Sequence, residues 1–517
     1  LAAAIAGDHP CVGRSVGIPY TTVENLILDK GMIMAVSEFS YIYPEMWLLS
    51  MAIFILIADL FISEKFKMVT YFLTQVTLIG ILVLTANLIG EGSKTLFNNM
   101  FVMDDFGNVL KFMIAFVGFF VFLYSRQSLL FNKNYRTEYF VLCLFSILGM
   151  MVLISARSFL TLYLGIELFA LPLYALIPIV KDDKIAPEAA MKYFVMGALA
   201  SGLLLYGISL LYGVTGSFQL QEVAIVLGKQ VAVGTPLNPA LLFGLVFVLV
   251  GLAFKFGAVP FHLWLPDVYQ GAPLPVTLFI GTLPKLAAFG FAIRLLVDAL
   301  LPLAIYWQPL FIIMSILSLT IGNIVAIAQT NLKRLLAYST IAHVGFLFLG
   351  LLAGPESGFA AALDYVIIYA LMALGAFGVM TVLSYQGFEP ENIQDFRGLG
   401  ARNPWIAFVM MMMLFSLAGI PPFAGFYAKL FVLNALISAG YTWLAVIAVL
   451  LTVVGAYYYL RVIRVMFFDA PEGVSPFIPI SFMPLTALSL NGFAILGLGI
   501  FPAPLFNLCL TVMSISK

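Results

Sequence analysis

The sequence predicts an all-α, polytopic membrane protein of about fourteen transmembrane helices, at about twenty apolar residues per crossing. Three observations carry that prediction. Of 517 residues, 63% are hydrophobic and 10% charged, the mean hydropathy is +1.08, and apolar runs of about eighteen residues or more recur along nearly the whole chain. The alternating segments of about ten residues that would build a membrane β-barrel are absent. Lysines stand inside the apolar runs, beside prolines that break them, at a cost of about 2.5–3.5 kcal/mol each on insertion scales.

The 25 basic and 25 acidic residues cancel, so no bulk charge attracts nucleic acid or an acidic substrate. Cys11, Cys143 and Cys509 form no C-x-x-C pair, His9, His262 and His343 are scattered, and no G-x-G-x-x-G follows a strand. The chain is therefore expected to hold no metal, nucleotide or redox centre. Cys143 and Cys509 read as core residues.

Taken in order, residues 1–35 differ in kind: they contain Asp8, His9, Pro10, Arg14 and Lys30 but no long apolar core and no signal-peptide pattern. They read either as an upstream extension, with Met32 and Met34 just before the first apolar segment, or as a short ordered cap. The apolar segments follow. The first five run near Pro44 to Ile62, Thr70 to Ile89, Val109 to Tyr124, Tyr139 to Ser155 and Ser158 to Val180. Next come Ala189 to Tyr212, Leu241 to Trp264, Pro275 to Leu296, Ala304 to Ile327 and Leu335 to Leu352. The last four cover Phe359 to Tyr385, Trp405 to Ser438, Tyr441 to Phe468 and Pro484 to Leu510.

Loop charge orients them. Connections after odd-numbered segments carry Lys65, Lys67, Arg126, Lys133, Arg136, Lys181, Lys184, Lys192, Lys333, Arg334, Arg397, Arg402, Arg461 and Arg464, whereas the even-numbered connections carry Lys94, Lys111, Arg157, Lys229 and Arg294. By the positive-inside rule the odd connections face the cytoplasm and both termini lie on the periplasmic side.

The segment from Trp405 to Ser438 would reach roughly 50 Å as one helix, against a hydrocarbon core of about 30 Å. It is expected to break at Gly419, Pro421 and Pro422, because proline removes a backbone donor and clashes with the preceding turn. Gly257-Ala258-Val259-Pro260-Phe261 and Gly419-Ile420-Pro421-Pro422-Phe423 share the pattern G-x-x-P-F, with Lys255 before one and Lys429 after the other. They fall on the seventh and twelfth segments, an odd offset, so the two copies cross in opposite directions. That is the pattern of an inverted-repeat transporter with its site at the midplane.

Glu167 lies well inside the fifth segment, and is expected to face the protein interior, either in a structural ion pair or in a proton relay. Both readings want a lysine partner, and Lys255 is the candidate, although a stem ending at Pro260 could also carry its ammonium to the interface. Lys285, about ten residues from either end of its segment, and Lys429, just after the break, are harder to explain by reach alone. Burial disfavours a charged lysine and a nearby carboxylate favours it, so a buried lysine beside Glu167 could take up and release a proton. His262 and His343 are candidates for relay between lysines, since imidazole both donates and accepts; a core or capping role is the alternative for each. Met410 to Met413 read as packing or lipid contact, and Tyr457, Tyr458 and Tyr459 beside Arg461 as an interfacial aromatic belt.

Several strings resemble a known family. They are Phe254-Lys255 with Val259-Pro260-Phe261-His262-Leu263-Trp264, Pro266 to Pro273, Pro284-Lys285-Leu286-Ala287-Ala288-Phe289, Tyr338 to His343, Phe396 to Gly400, Gly419-Ile420-Pro421-Pro422 and Gly455 to Arg461, within a match from about Glu138 to Phe468. The chain is similar to the antiporter-like membrane subunits of bacterial respiratory complex I, the proton-pumping NADH:quinone oxidoreductase, and within them to the subunit N group. A lysine rather than a glutamate in the twelfth segment argues against subunit M, and the lack of a long lateral helix after Leu510 against subunit L. The first 35 or so residues match nothing in the family pattern.

The resemblance implies two inverted five-helix repeats, at 138–298 and 299–470, preceded by three helices at 36–137 and followed by a C-terminal helix in 471–517. It implies that Glu167 and Lys255 form a charge pair, that Lys285 and His343 line a hydrated central axis, and that Lys429 is the terminal lysine of the second half. It also implies a bacterial inner-membrane location, neighbours such as subunit M on one side and small subunits such as K on the other, and the lateral helix of subunit L. NADH, FMN, iron–sulfur clusters and quinone are then expected on other subunits. A sodium/proton antiporter subunit of the Mrp type and a non-conducting scaffold are the alternatives.

Overall fold

The computed structural model describes residues 39–62, 68–131, 137–180, 183–233, 237–355, 357–384, 388–470 and 480–515. The N-terminal extension, with His9 and Cys11, and the loop charges Lys65, Lys67, Lys133, Arg136 and Lys181 lie outside these residues. Of the N-terminal unit that ends at Tyr43, a short 3-10 turn at Ser40–Ile42 is described; the remainder concerns the unit from Pro44 onward.

Among the described residues the chain is helical apart from one small hairpin. The first helices are α1 (Tyr43–Asp59), α2 (Met68–Leu88), α3 (Asp105–Phe131), α4 (Glu138–Ile154), α5 (Phe159–Leu176) and α6 (Ala186–Thr215). They are followed by α7 (Leu220–Ala232), α8 (Pro239–Phe256), α9 (Trp264–Gly271), α10 (Leu274–Leu296), α11 (Ala304–Ala328), α12 (Leu332–Leu352) and α13 (Gly358–Val382). The last are α14 (Pro404–Ala418), α15 (Ala424–Ser438), α16 (Thr442–Phe467), α17 (Phe482–Ile500) and α18 (Ala503–Ile515). Among the described residues, twelve helices are long and apolar enough to cross a membrane. Adding α4 and the α14–α15 pair reproduces the fourteen expected segments.

Capping side chains set several starts. Ser158 accepts from Leu160 N at 3.2 Å before α5, Asn238 from Ala240 N at 2.9 Å before α8, and Asn331 from Arg334 N at 3.0 Å before α12. Each satisfies a first-turn donor that has no partner inside the helix.

The sequence reading needs correction at three places. The segment from Pro484 to Leu510 is not one helix: α17 stops at Ile500 and α18 starts at Ala503, because Pro502 supplies no backbone donor. Phe506 of α18 stacks on Phe431 of α15 with ring centres 4.1 Å apart. The stretch between the sixth and seventh segments contains α7, which turns Leu220, Val223 and Leu227 inward at helical spacing. The stretch after α2 contains the antiparallel hairpin β1 (Lys94–Leu96) and β2 (Phe101–Met103), with Lys94 opposite Met103. It is tied to the end of α4 by Val102 N to Ser155 O at 2.8 Å and Arg157 N to Met100 O at 3.1 Å.

Two cations counted for the even-numbered connections are buried inside helices. Lys111 of α3 is buried and pairs with Glu45 of α1 at 2.5 Å. Arg294 of α10 is buried, donates to Ile154 O at 2.8 Å, and meets Asp104 at 2.7 Å and Asp298 at 3.4 Å. Arg294→Leu would leave the buried Asp104 carboxylate without its cation, at a cost of about 3–5 kcal/mol. A markedly lower yield and thermal midpoint of the assembled protein is the expected result; unchanged values would show that the cluster contributes no stability.

The core lies on α10, α12 and α13. Every residue of α10 and α13 is buried, as are nearly all of α12, whereas α1, α6 and α16 keep exposed apolar faces, as helices that meet lipid do. Lys285 and His343 therefore lie on helices with no lipid face.

Candidate functional site: a buried lysine–histidine axis at two broken helices

Both G-x-x-P-F strings break their helices in the same way. Gly257 ends α8 at φ 74° and Gly419 ends α14 at φ 83°, a left-handed conformation that glycine adopts without a Cβ penalty. Gly257 N bonds Phe254 O and Ala258 N bonds Ala253 O, both at 2.9 Å; Gly419 N bonds Ser416 O and Ile420 N bonds Phe415 O, both at 3.0 Å. This 5→2 and 6→1 pairing is a Schellman cap. A cis proline peptide follows in each, at Val259–Pro260 and Pro421–Pro422, and all three prolines are exposed. The chain resumes as α9 after the first break and as α15 after the second.

The caps leave the final carbonyls of each half-helix free, and a lysine takes them in both cases. Lys285 Nζ, from α10, donates to Phe256 O at 2.7 Å. Lys429 Nζ, from α15, donates to Leu417 O and Ala418 O, each at 3.0 Å. These ammonium groups meet the negative end of a helix dipole and take carbonyls that the helix itself leaves unpaired. From sequence, Lys255 looked like the first-half counterpart of Lys429; by geometry that counterpart is Lys285.

His343 lies between them. Its Nδ1 is 2.7 Å from Tyr365 Oη and its Nε2 is 3.3 Å from Tyr459 Oη, and Tyr459 is in turn bonded to Ser339. One small cavity is lined by Phe256, Lys285, Thr340, His343, Tyr365 and Tyr369, and a second by His343, Leu417, Lys429, Tyr458, Tyr459 and Asn323 among others. Each has about 10 Å³ open to the centre of a water molecule, room for about one water. His343 is a wall of both. Thr340 and Tyr369 add hydroxyls 2.8 Å apart.

Glu167 and Lys255 are neighbours without being an ion pair. Glu167 acts electrostatically on Lys255, yet Lys255 Nζ and Glu167 Oε1 have no hydrogen-bonding partner. Lys255 Nζ instead lies 5.2 Å from the ring centre of Phe169 and 5.9 Å from that of Phe254. Glu167 is half-buried rather than interior, because α5 lies at an edge of the bundle with Leu160, Leu164 and Leu171 exposed. His262 lies in the first break with Nδ1 buried and unpartnered, and bonds none of the lysines.

Sequence reasoning missed the tyrosines. Tyr458 and Tyr459 are buried and only Tyr457 is exposed, so the expected aromatic belt is in large part the wall of the second cavity. Tyr365 and Tyr369 went unremarked, although their i, i+4 spacing puts two hydroxyls on one face of an apolar helix. Of the methionine run, Met410, Met412 and Met413 are buried, so it is mainly packing.

Comparison with known proteins shows the family. Residues 156–455 match the family model described as NADH:quinone oxidoreductase/Mrp antiporter, TM. The chain is 51% identical over 483 residues to NADH-quinone oxidoreductase subunit N of Thioalkalivibrio sulfidiphilus, covering 93% of this chain and 100% of the relative. It is 52% identical over 481 residues to the subunit N of Herminiimonas arsenicoxydans, covering 90% and 96%. Among solved structures, a chain of respiratory complex I from Thermus thermophilus with bound aureothin aligns with a TM-score of 0.75 at 30% identity, over 90% of this chain and 98% of that one. A chain of the Mrp complex from Dietzia sp. shares the fold, with a TM-score of 0.79 at 20% identity over 93% and 97% of the two chains. This chain belongs to the NADH-quinone oxidoreductase subunit N family, the antiporter-like membrane subunits of respiratory complex I.

Proposed function

We propose that this subunit translocates protons along Lys285, His343 and Lys429, driven by redox chemistry on other subunits that alters the approach of Glu167 to Lys255. The observation that carries the reading is that His343 walls both cavities, one facing Lys285 and the other Lys429. A water in each cavity would complete a chain of groups that both donate and accept. Imidazole and the flanking hydroxyls of Tyr365 and Tyr459 supply the exchange step at the centre.

The two identical caps support the inverted repeats at 138–298 and 299–470. Moving the buried Lys111, Arg294 and Lys333 out of the loop tally leaves thirteen cations in the odd connections and three in the even ones, which supports a reading with both termini on the periplasmic side of a bacterial inner membrane. In this reading subunit M, small subunits such as K and the lateral helix of subunit L are its neighbours, and NADH, FMN, iron–sulfur clusters and quinone are bound elsewhere in the complex. His262, away from the axis, is assigned no transfer step.

Lys285→Ala tests the route in closed vesicles that contain the intact complex. Proton translocation per NADH oxidised is expected to fall sharply while the amount of assembled complex is kept. Unchanged translocation in a normally assembled complex would sink the proposal.

A further inference from the structure

Trp264 opens α9 on the far side of the first break and reaches back across it. Its indole Nε1–H donates to Phe254 O at 3.1 Å. Its ring stacks on Tyr193 of α6, with centres 4.6 Å apart and planes at 21°, and Tyr193 meets Tyr174 of α5 edge-on at 4.7 Å and 74°. Tyr174 follows Glu167 by seven residues on the same helix, two turns along one face, and Glu167 acts on it electrostatically. On the other side, Lys285 Nζ stands 5.7 Å from the centre of the Trp264 ring. Three aromatic rings on α5, α6 and α9 thus form a continuous column from α5, the helix of Glu167, to Lys285.

We propose that Trp264 is a positioning residue for Lys285: its ring face holds the ammonium against the Phe256 carbonyl, and the column ties that position to the helix carrying Glu167. The proposal rests on the proton route above. A ring face attracts the charged ammonium and has no such attraction for the neutral amine, so the contact distinguishes a loaded lysine from an empty one. The ring cannot drift independently, because α9 is clamped one turn further on. Asp267 pairs with Lys192 of α6 at 2.9 Å and with Arg334 of α12 at 2.6 Å. A displacement of α5 and α6 relative to α8 therefore pulls on Trp264 through Tyr193 and Lys192 against its bond to Phe254 O, and changes where the ammonium is held.

Trp264→Leu and Trp264→Phe in the intact complex, reconstituted in vesicles, separate the ring from its surroundings. Both variants lose the indole donor, and only phenylalanine keeps a ring face. Trp264→Leu is expected to lower proton translocation per NADH at least about fivefold, the worth of an ordinary cation–π contact, with Trp264→Phe recovering at least half of the loss. Normal translocation in Trp264→Leu, or equal defects in the two variants, overturns the proposal. Where Trp264→Leu does not assemble, Tyr193→Leu is compared with Tyr193→Phe, with the same outcomes decisive. Normal translocation in Lys285→Ala overturns the route itself; a defect there with none in Trp264→Leu overturns the role of Trp264 alone.

Discussion

His343→Leu is expected to lower NADH-driven proton translocation by about a hundredfold, the lower range of what a positioned acid–base group supplies. The argument is one of connection. His343 is the side chain shared by the cavity of Lys285 and the cavity of Lys429, and leucine of comparable size would fill the wall without donating or accepting a proton. The hydroxyls of Tyr365 and Tyr459 would remain, each having lost its imidazole partner. Acidification of closed vesicles on addition of NADH and quinone, normalised to assembled complex, measures the effect. Acidification at the unsubstituted rate would mean that protons bypass the axis.

Lys429 permits a sharper separation of structure from transport. Lys429→Leu strips Leu417 O and Ala418 O of their donor at membrane depth, where each unsatisfied buried group costs about 1–3 kcal/mol, so assembly should suffer along with transport. Lys429→Gln, one atom shorter, still offers an amide to those carbonyls but cannot bind and release a proton. The expected result is a complex that assembles near normal levels and translocates protons at least about tenfold more slowly, in proportion to the loss of one relay group. Loss of assembly in both variants would make Lys429 a structural cap. Normal transport in Lys429→Gln would remove it from the route.

The breaks were legible because their cause is local. A glycine at positive φ followed within a few residues by proline stops the helix at Gly257 and at Gly419, and the repeated G-x-x-P-F string announced those two stops. The stop at Phe501 and Pro502 is less legible because its cue is ambiguous: Gly499 and Pro502 have the same spacing as Gly281 and Pro284, which lie inside the unbroken α10. Tyr459 was misassigned for a related reason. Next to Arg461 near a helix end, a tyrosine reads as interfacial whether it faces lipid or protein, and only the packing of α16 against its neighbours turns it toward His343. Glu167 shows the converse: a carboxylate in an apolar run reads as interior, yet α5 proves to be an edge helix.

Composition and apolar periodicity by themselves determined that the chain spans a membrane, how often, and which lysines carry an unusual cost, because helix length and burial of charge are set by the thickness and dielectric of the bilayer. Tertiary structure alone decided what offsets that cost. No local pattern foretells that Lys285, twenty-nine residues beyond Phe256, caps the same kind of helix end as Lys429 does within its own broken segment. Hydrogen bonds between segments depend on which faces meet, and faces meet only once the helices have packed.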